Sequence, residues 1–128
     1  MGILLYIKKE DFGMQLNDTT KMALEISKKI QTIFKDKVTS TQIYDVNDDK
    51  NWRTFKIKFV AYNYFVVVFN YERDIIGCSI EQGNSSYITL SESKDCYSDN
   101  NLDVFFKNII KDLELRIPDK FLKAHGWL

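Results

Sequence analysis

Only one proline and five glycines interrupt the 128 residues of this chain, and a sequence so poor in both does not sustain long disordered stretches. Cysteine is equally scarce. Cys78 and Cys96 are too few for a disulfide-built secreted scaffold, and Cys78 lies in a strand pattern where a buried thiol is ordinary, so both are expected to stay reduced. Neither sign of charge is in excess: 18 basic residues balance 18 acidic ones, which removes the whole-molecule attraction that nonspecific nucleic-acid binders use. Any polyanion site must therefore be local. No apolar run approaches the roughly 20 residues of a bilayer crossing. The opening run, residues 3–7, is too short for that and lacks a basic leader, so it reads as a strand and a cytoplasmic location is expected.

What is present suits a single domain over residues 1–128. Nine Phe, seven Tyr and two Trp within a 45% hydrophobic composition can fill a core, and a body of this size buries about 65–70% of its unfolded surface. Phe12, Met14 and Leu16 alternate with polar positions and hint at a second short strand. Asp18 or Thr19 can cap a helix whose apolar face is Met22, Ala23, Ile26, Ile30, Ile33 and Phe34, extending to Lys37. Its other face carries Lys21, Lys28, Lys29, Lys35 and Lys37 against Glu25 and Asp36, five minus two, as a solvated face does.

Residues 43–46 read as a strand and 47–51 as a turn leading into a hairpin. Residues 52–62 alternate, Phe55, Ile57 and Phe59 against Thr54, Lys56 and Lys58, which predicts one wet sheet face. Residues 64–71 are apolar on both sides, so that strand is expected either between two layers or with one face reserved for a partner. Residues 75–81 and 86–90 continue an antiparallel meander through Gln82-Gly83-Asn84-Ser85, with Gly77 marking a bulge or a close contact. Asp99-Asn100-Asn101 signals the start of a helix with Leu102, Phe105, Phe106, Ile109, Ile110 and Leu113 on one face. Ile117-Pro118 ends it, and Pro118 can open a short terminal helix pinned by Phe121, Leu122 and Trp127. The fold class is α+β: a mainly antiparallel sheet of about five strands, a long helix in the N-terminal half, a C-terminal helix and a short terminal one.

Chemistry finds little to use. His125 lies on a terminal turn beside Gly126, with no nucleophile-elbow glycines, and is expected to be structural or solvent-facing. Three Cys and His residues in total cannot supply the four ligands of a structural zinc. Asp45, Asn47, Asp48 and Asp49 lack the glycine and downstream glutamate of a calcium loop, and the glycines form no phosphate cradle. No catalytic residue, cofactor or metal is expected.

Presented surface remains. Residues 91–103 carry Glu92, Asp95, Asp99 and Asp103 against Lys94, four minus one, with Tyr97 among them. Such a loop can steer and hold a basic partner, and the same acids can stabilise the positive end of the following helix. Separately, Trp52, Tyr62, Tyr64 and Tyr71, with Lys56 and Lys58, could stack on bases across an open sheet.

The aromatic antiparallel sheet, the acidic loop, the closing amphipathic helix and the ending Ile117-Pro118-Asp119-Lys120-Phe121-Leu122 together resemble an immunity protein. The family meant is the small proteins that neutralise toxins of bacterial contact-dependent growth inhibition and other polymorphic toxin systems. The resemblance is one of size and character over the whole chain. It implies a role, tight binding of a cognate toxin domain, and transfers no individual residue. Near neutrality departs from the acidity of many nuclease inhibitors and counts against a nuclease target. The expectation is a non-enzymatic toxin inhibitor whose contacts include Glu92, Asp95, Tyr97, Asp99 and Asp103, with neither membrane nor nucleic acid as partner. The alternative is a secretion-type chaperone or a sheet-based binder of single-stranded nucleic acid.

Overall fold

A computed structural model describes residues 2–5, 17–83, 86–90, 95–98 and 101–128. In chain order these form β1 (Gly2–Leu5), α1 (Asp18–Phe34), a 3-10 turn (Lys35–Lys37), β2 (Val38–Asn47), β3 (Thr54–Ala61), β4 (Phe65–Glu72), β5 (Ile75–Gln82), β6 (Ser86–Thr89), β7 (Asp95–Cys96), α2 (Leu102–Leu115) and α3 (Asp119–Ala124). The architecture is α+β. Strands β2 to β6 form an antiparallel meander in sequence order, β1 joins β2 in parallel, and β7 adds two residues to β5. A parallel neighbour requires a crossover, and α1 lies within the one between β1 and β2. The strand suggested by Phe12, Met14 and Leu16 lies outside the described residues, as do Asn84 and Ser85 of the expected turn.

Helix α1 buries Ala23, Ile26, Ile30 and Phe34 against the sheet, as its spacing predicts. Two details differ from expectation. Its cap is Asn17, whose side-chain oxygen accepts the Thr20 amide at 2.7 Å, which frees Thr19 to donate to Asp48 instead. The α-helix also ends at Phe34, three residues before Lys37, because Lys35 takes φ 56° and ψ −127°, a conformation suited to glycine. Lys35→Gly is expected to stabilise the protein by about 1 kcal/mol, strain relief exceeding the backbone entropy that glycine adds. A thermal melt checks this, and an unchanged or lower midpoint would count against strain at Lys35.

The face of the sheet toward the helices carries Ile43, Phe55, Ile57, Phe59, Val67, Phe69, Ile76, Cys78 and Ile80, all buried. Phe106 of α2 packs on Phe34 and Phe69, with ring centres 6.2 and 5.6 Å apart. Val68 is buried on the opposite face of β4, although the described helices cover only one side. Long side chains roof it: Lys58 on β3 reaches Glu81 on β5 at 3.0 Å, spanning the strand between them. Gly77 marks no bulge, since β4 and β5 pair in continuous register through Asn70 and Gly77, and a Cβ there would meet nothing within 4 Å.

Tyr62 locks the two halves together. With Asn63 it forms the β3–β4 turn at φ 60° and 50°, and its amide donates to the Lys37 carbonyl at 2.7 Å. The phenol is buried and donates to Glu114 of α2 at 2.5 Å, while Trp127 after α3 meets the ring edge-on. Burial first, and then that hydrogen bond to a carboxylate, push the Tyr62 phenol well above the usual tyrosine range. Because the folded state holds this proton more tightly, its contribution is complete below about pH 10, where unfolded tyrosine titrates, and fades as pH rises further. Tyr44 and Tyr71, also raised by burial, act in the same direction. Tyr62→Phe is expected to cost about 1–2 kcal/mol at neutral pH and to flatten the alkaline fall in stability by up to about 1.4 kcal/mol per pH unit. Denaturant melts between pH 7 and 11 measure both effects, and an unaltered alkaline slope would rule out this assignment.

Candidate functional site

The β2–β3 and β4–β5 turns meet at one end of the sheet, where Thr54 pairs with Glu72 and Glu72 with Ile75. In the first turn the Asn and Asp side chains serve the backbone: Asn47 accepts the Asp49 amide at 3.2 Å and Asp49 accepts the Asn51 amide at 2.8 Å. Asp48 accepts from both the amide and the hydroxyl of Thr19, at 3.2 and 2.5 Å, so it anchors the start of α1. The Thr19 hydroxyl, more than any nearby cation, holds the Asp48 carboxyl below its usual range. Among the described residues no group of three His, Cys, Asp or Glu side chains could hold a metal ion.

One residue of this turn is left standing outward. Trp52 is 48% exposed, and the Arg73 guanidinium lies 3.7 Å from its ring centre. The pairing follows from backbone geometry. Arg73 and Asp74 form a two-residue hairpin turn with φ 47° and 72°, both left-handed without a glycine, and the Arg73 amide donates to the Arg53 carbonyl at 3.0 Å. A bulge in β2 between Tyr44 and Asn47, with Asp45 at φ 53°, bends the facing strand. Two shallow clefts of about 300 Å³ each result. Lys50, Arg53, Arg73 and Asp74 line one, Asp45, Trp52, Lys56 and Glu72 line the other, and Tyr71 borders both.

The described part of the acidic loop comes to this same end. Tyr97 is half-buried and edge-on to Tyr71 at 5.7 Å, and its amide donates to the Asp74 carbonyl. Ser98 donates from its amide and hydroxyl to the Asp74 carboxylate at 3.0 and 2.6 Å. Asp95 lies in β7 opposite Ile76, whereas Glu92 and Asp99 fall outside the described residues. Asp103 is placed elsewhere: it sits in the first turn of α2 and pairs with Lys29 of α1 at 2.9 Å, an exposed contact consistent with the helix-stabilising reading.

The four aromatics considered for stacking on bases do not share a face. Tyr62 and Tyr71 are buried, Tyr64 leans on Phe121, and only Trp52 stands free of the core. Lys58 is committed to Glu81 and to the Tyr44 ring. His125 donates from Nδ1 to the Phe121 carbonyl at 2.9 Å and stacks between Phe121 and Trp127, which gives it a structural task at the end of α3. Neither cysteine is in a disulfide, and burial raises the Cys78 thiol far above its usual range, the reverse of what a nucleophile requires.

Arg73, Arg53 and Lys50 are absent from the contacts expected of the sequence, and Trp52 is expected only as an aromatic that could stack on bases. A tryptophan in a polar turn beside an arginine was the available signal. No described helix is long and apolar enough to cross a membrane. Compared with models of protein families, with curated proteins and with solved structures, the chain matches none.

Proposed function

We propose that the protein is a non-enzymatic immunity protein, acting in the cytoplasm, that binds a cognate bacterial toxin domain and blocks its active site or an adjacent surface. The observation that carries this reading is the Trp52–Arg73 stack, an exposed aromatic and cation 3.7 Å apart between two clefts. Tryptophan, arginine and tyrosine are the side chains that most often dominate protein–protein binding energy, and a fixed backbone spares the entropy of ordering them. The acidic loop enters beside the stack through Tyr97 and Ser98, so cationic and anionic groups would flank one aromatic anchor. Such a patch can extend to the roughly 800 Å² per partner of a standard interface. Inhibition would come from occlusion, without chemistry on the inhibitor's side.

The test is to look for a toxin domain encoded immediately upstream of this chain, as the proposal requires, and to co-express the two. The intact protein should restore growth and co-purify with the toxin, whereas Trp52→Ala combined with Arg73→Ala should lose both while keeping its circular dichroism spectrum. Reversal of Asp95 and Asp99 to lysine separates the loop from the stack. Lack of any neighbouring toxin gene, or full protection by both sets of variants, would sink the proposal.

A further inference from the structure

The cleft between the β2–β3 and β4–β5 turns is lined by more cations than carboxylates. Three cations, Lys50, Arg53 and Arg73, line it against one carboxylate, Asp74. Both oxygens of that carboxylate are already occupied by Ser98. The Arg53 guanidinium is incompletely satisfied among the described residues: its Nε is buried without a hydrogen-bond partner, and its ion-pair partner Asp48 stands 3.9 Å from Nη2 and is also engaged by Thr19. Arg73 spends its planar face on Trp52, with Glu72 no nearer than 3.9 Å, so the N–H edge of its guanidinium remains to be used. Lys50 makes no ion pair among the described residues. A half-buried guanidinium with an unpartnered N–H is costly, and the group that best satisfies it is an oxyanion presenting two oxygens to the fork.

We infer that this cleft binds an oxyanion, a phosphate or carboxylate group carried on a small body, with Arg53, Arg73 and Lys50 as its cationic ligands. Rotation of the Arg53 side chain toward the cleft would bring its unpartnered N–H edge onto the anion. The volume of about 300 Å³ exceeds that of a bare ion and sits at the lower end for small-molecule sites. Arg73 links the cleft to the exposed stack, so a bound anion would also stiffen Trp52. This inference concerns the isolated chain and stands apart from the toxin reading; either can fail alone.

The experiment titrates inorganic phosphate, and separately acetate, into the full chain at ionic strength held constant with chloride, while the amide signals of Asn51, Arg53 and Asp74 are followed by NMR. Saturating shifts confined to these residues are expected. Saturation by phosphate alone assigns a phosphate group, and saturation by acetate as well assigns a carboxylate-tolerant site. Lys50→Ala, at an exposed position, should weaken the affinity about threefold to tenfold, and Arg53→Lys, which keeps the charge but loses the fork, should weaken it further. Shifts that stay linear with concentration, or match those of chloride, would overturn the site. Unchanged affinity in Lys50→Ala would overturn the assigned ligands, even if Arg53→Lys failed to fold.

Discussion

Replacing Phe106 by alanine is expected to lower the free energy of unfolding by about 3–5 kcal/mol, a large part of the 5–15 kcal/mol typical of a domain. The size follows from position. Phe106 is fully buried where α2 meets both α1 and the sheet, with the rings of Phe34, Phe69 and Phe105 at 6.2, 5.6 and 5.2 Å. Those neighbours belong to three different elements, so the cavity cannot close by a shift of one side chain. Denaturant melts should show a large fall in midpoint with little change in slope. Val104, two residues earlier on α2 but 55% exposed, provides the control: its alanine variant should stay within about 0.5 kcal/mol. A loss below 1 kcal/mol at Phe106 would contradict the packing described.

Binding should depend on the opposite kind of position. Trp52→Ala and Arg73→Ala are each expected to weaken the proposed toxin complex by about 2 kcal/mol or more, roughly thirtyfold, the threshold at which an interface residue counts as dominant. The two side chains stack on each other, so the double variant should lose less than the sum of the single losses. Stability should change by no more than about 1 kcal/mol, because an exposed cation–aromatic contact contributes about that much. Tyr87, 53% exposed on β6 and paired with Glu81 toward the other end of β5, is the matched control whose alanine variant should bind normally. Calorimetric titration of the purified toxin domain against the intact protein and the four variants decides the matter. Equal losses at Tyr87 and Trp52 would move the interface from the turn end to the open face of the sheet.

Much of the architecture can be read without coordinates because it rests on local repetition. The alternation of Phe55, Ile57 and Phe59 with Lys56 and Lys58 places them on opposite faces, and the spacing of Leu102, Phe105, Phe106, Ile109 and Leu113 draws one buried stripe. Errors gathered where a residue serves something distant. Asp18 and Thr19 look like caps in isolation, but Asp48, 29 residues from Thr19, takes the Thr19 hydroxyl and leaves capping to Asn17. Tyr62 and Tyr71 look like surface aromatics at strand ends, yet Glu114 and Tyr97 claim them from other elements. The Arg73-Asp74 turn gives no glycine or asparagine signal, so the left-handed geometry that lays Arg73 over Trp52 was not legible.

Composition and periodicity were thus sufficient for the class of fold, the antiparallel meander, the three helices and most of the core, since each depends on neighbours within a few positions along the chain. The candidate site required the folded molecule. It is assembled from residues 48–53, 73–74 and 95–98, and only the register of β3, β4 and β5 with β7 brings those turns to one end of the sheet. Strand pairing is a long-range choice made by the whole apolar face at once, and no local pattern encodes which polar turns it will leave side by side.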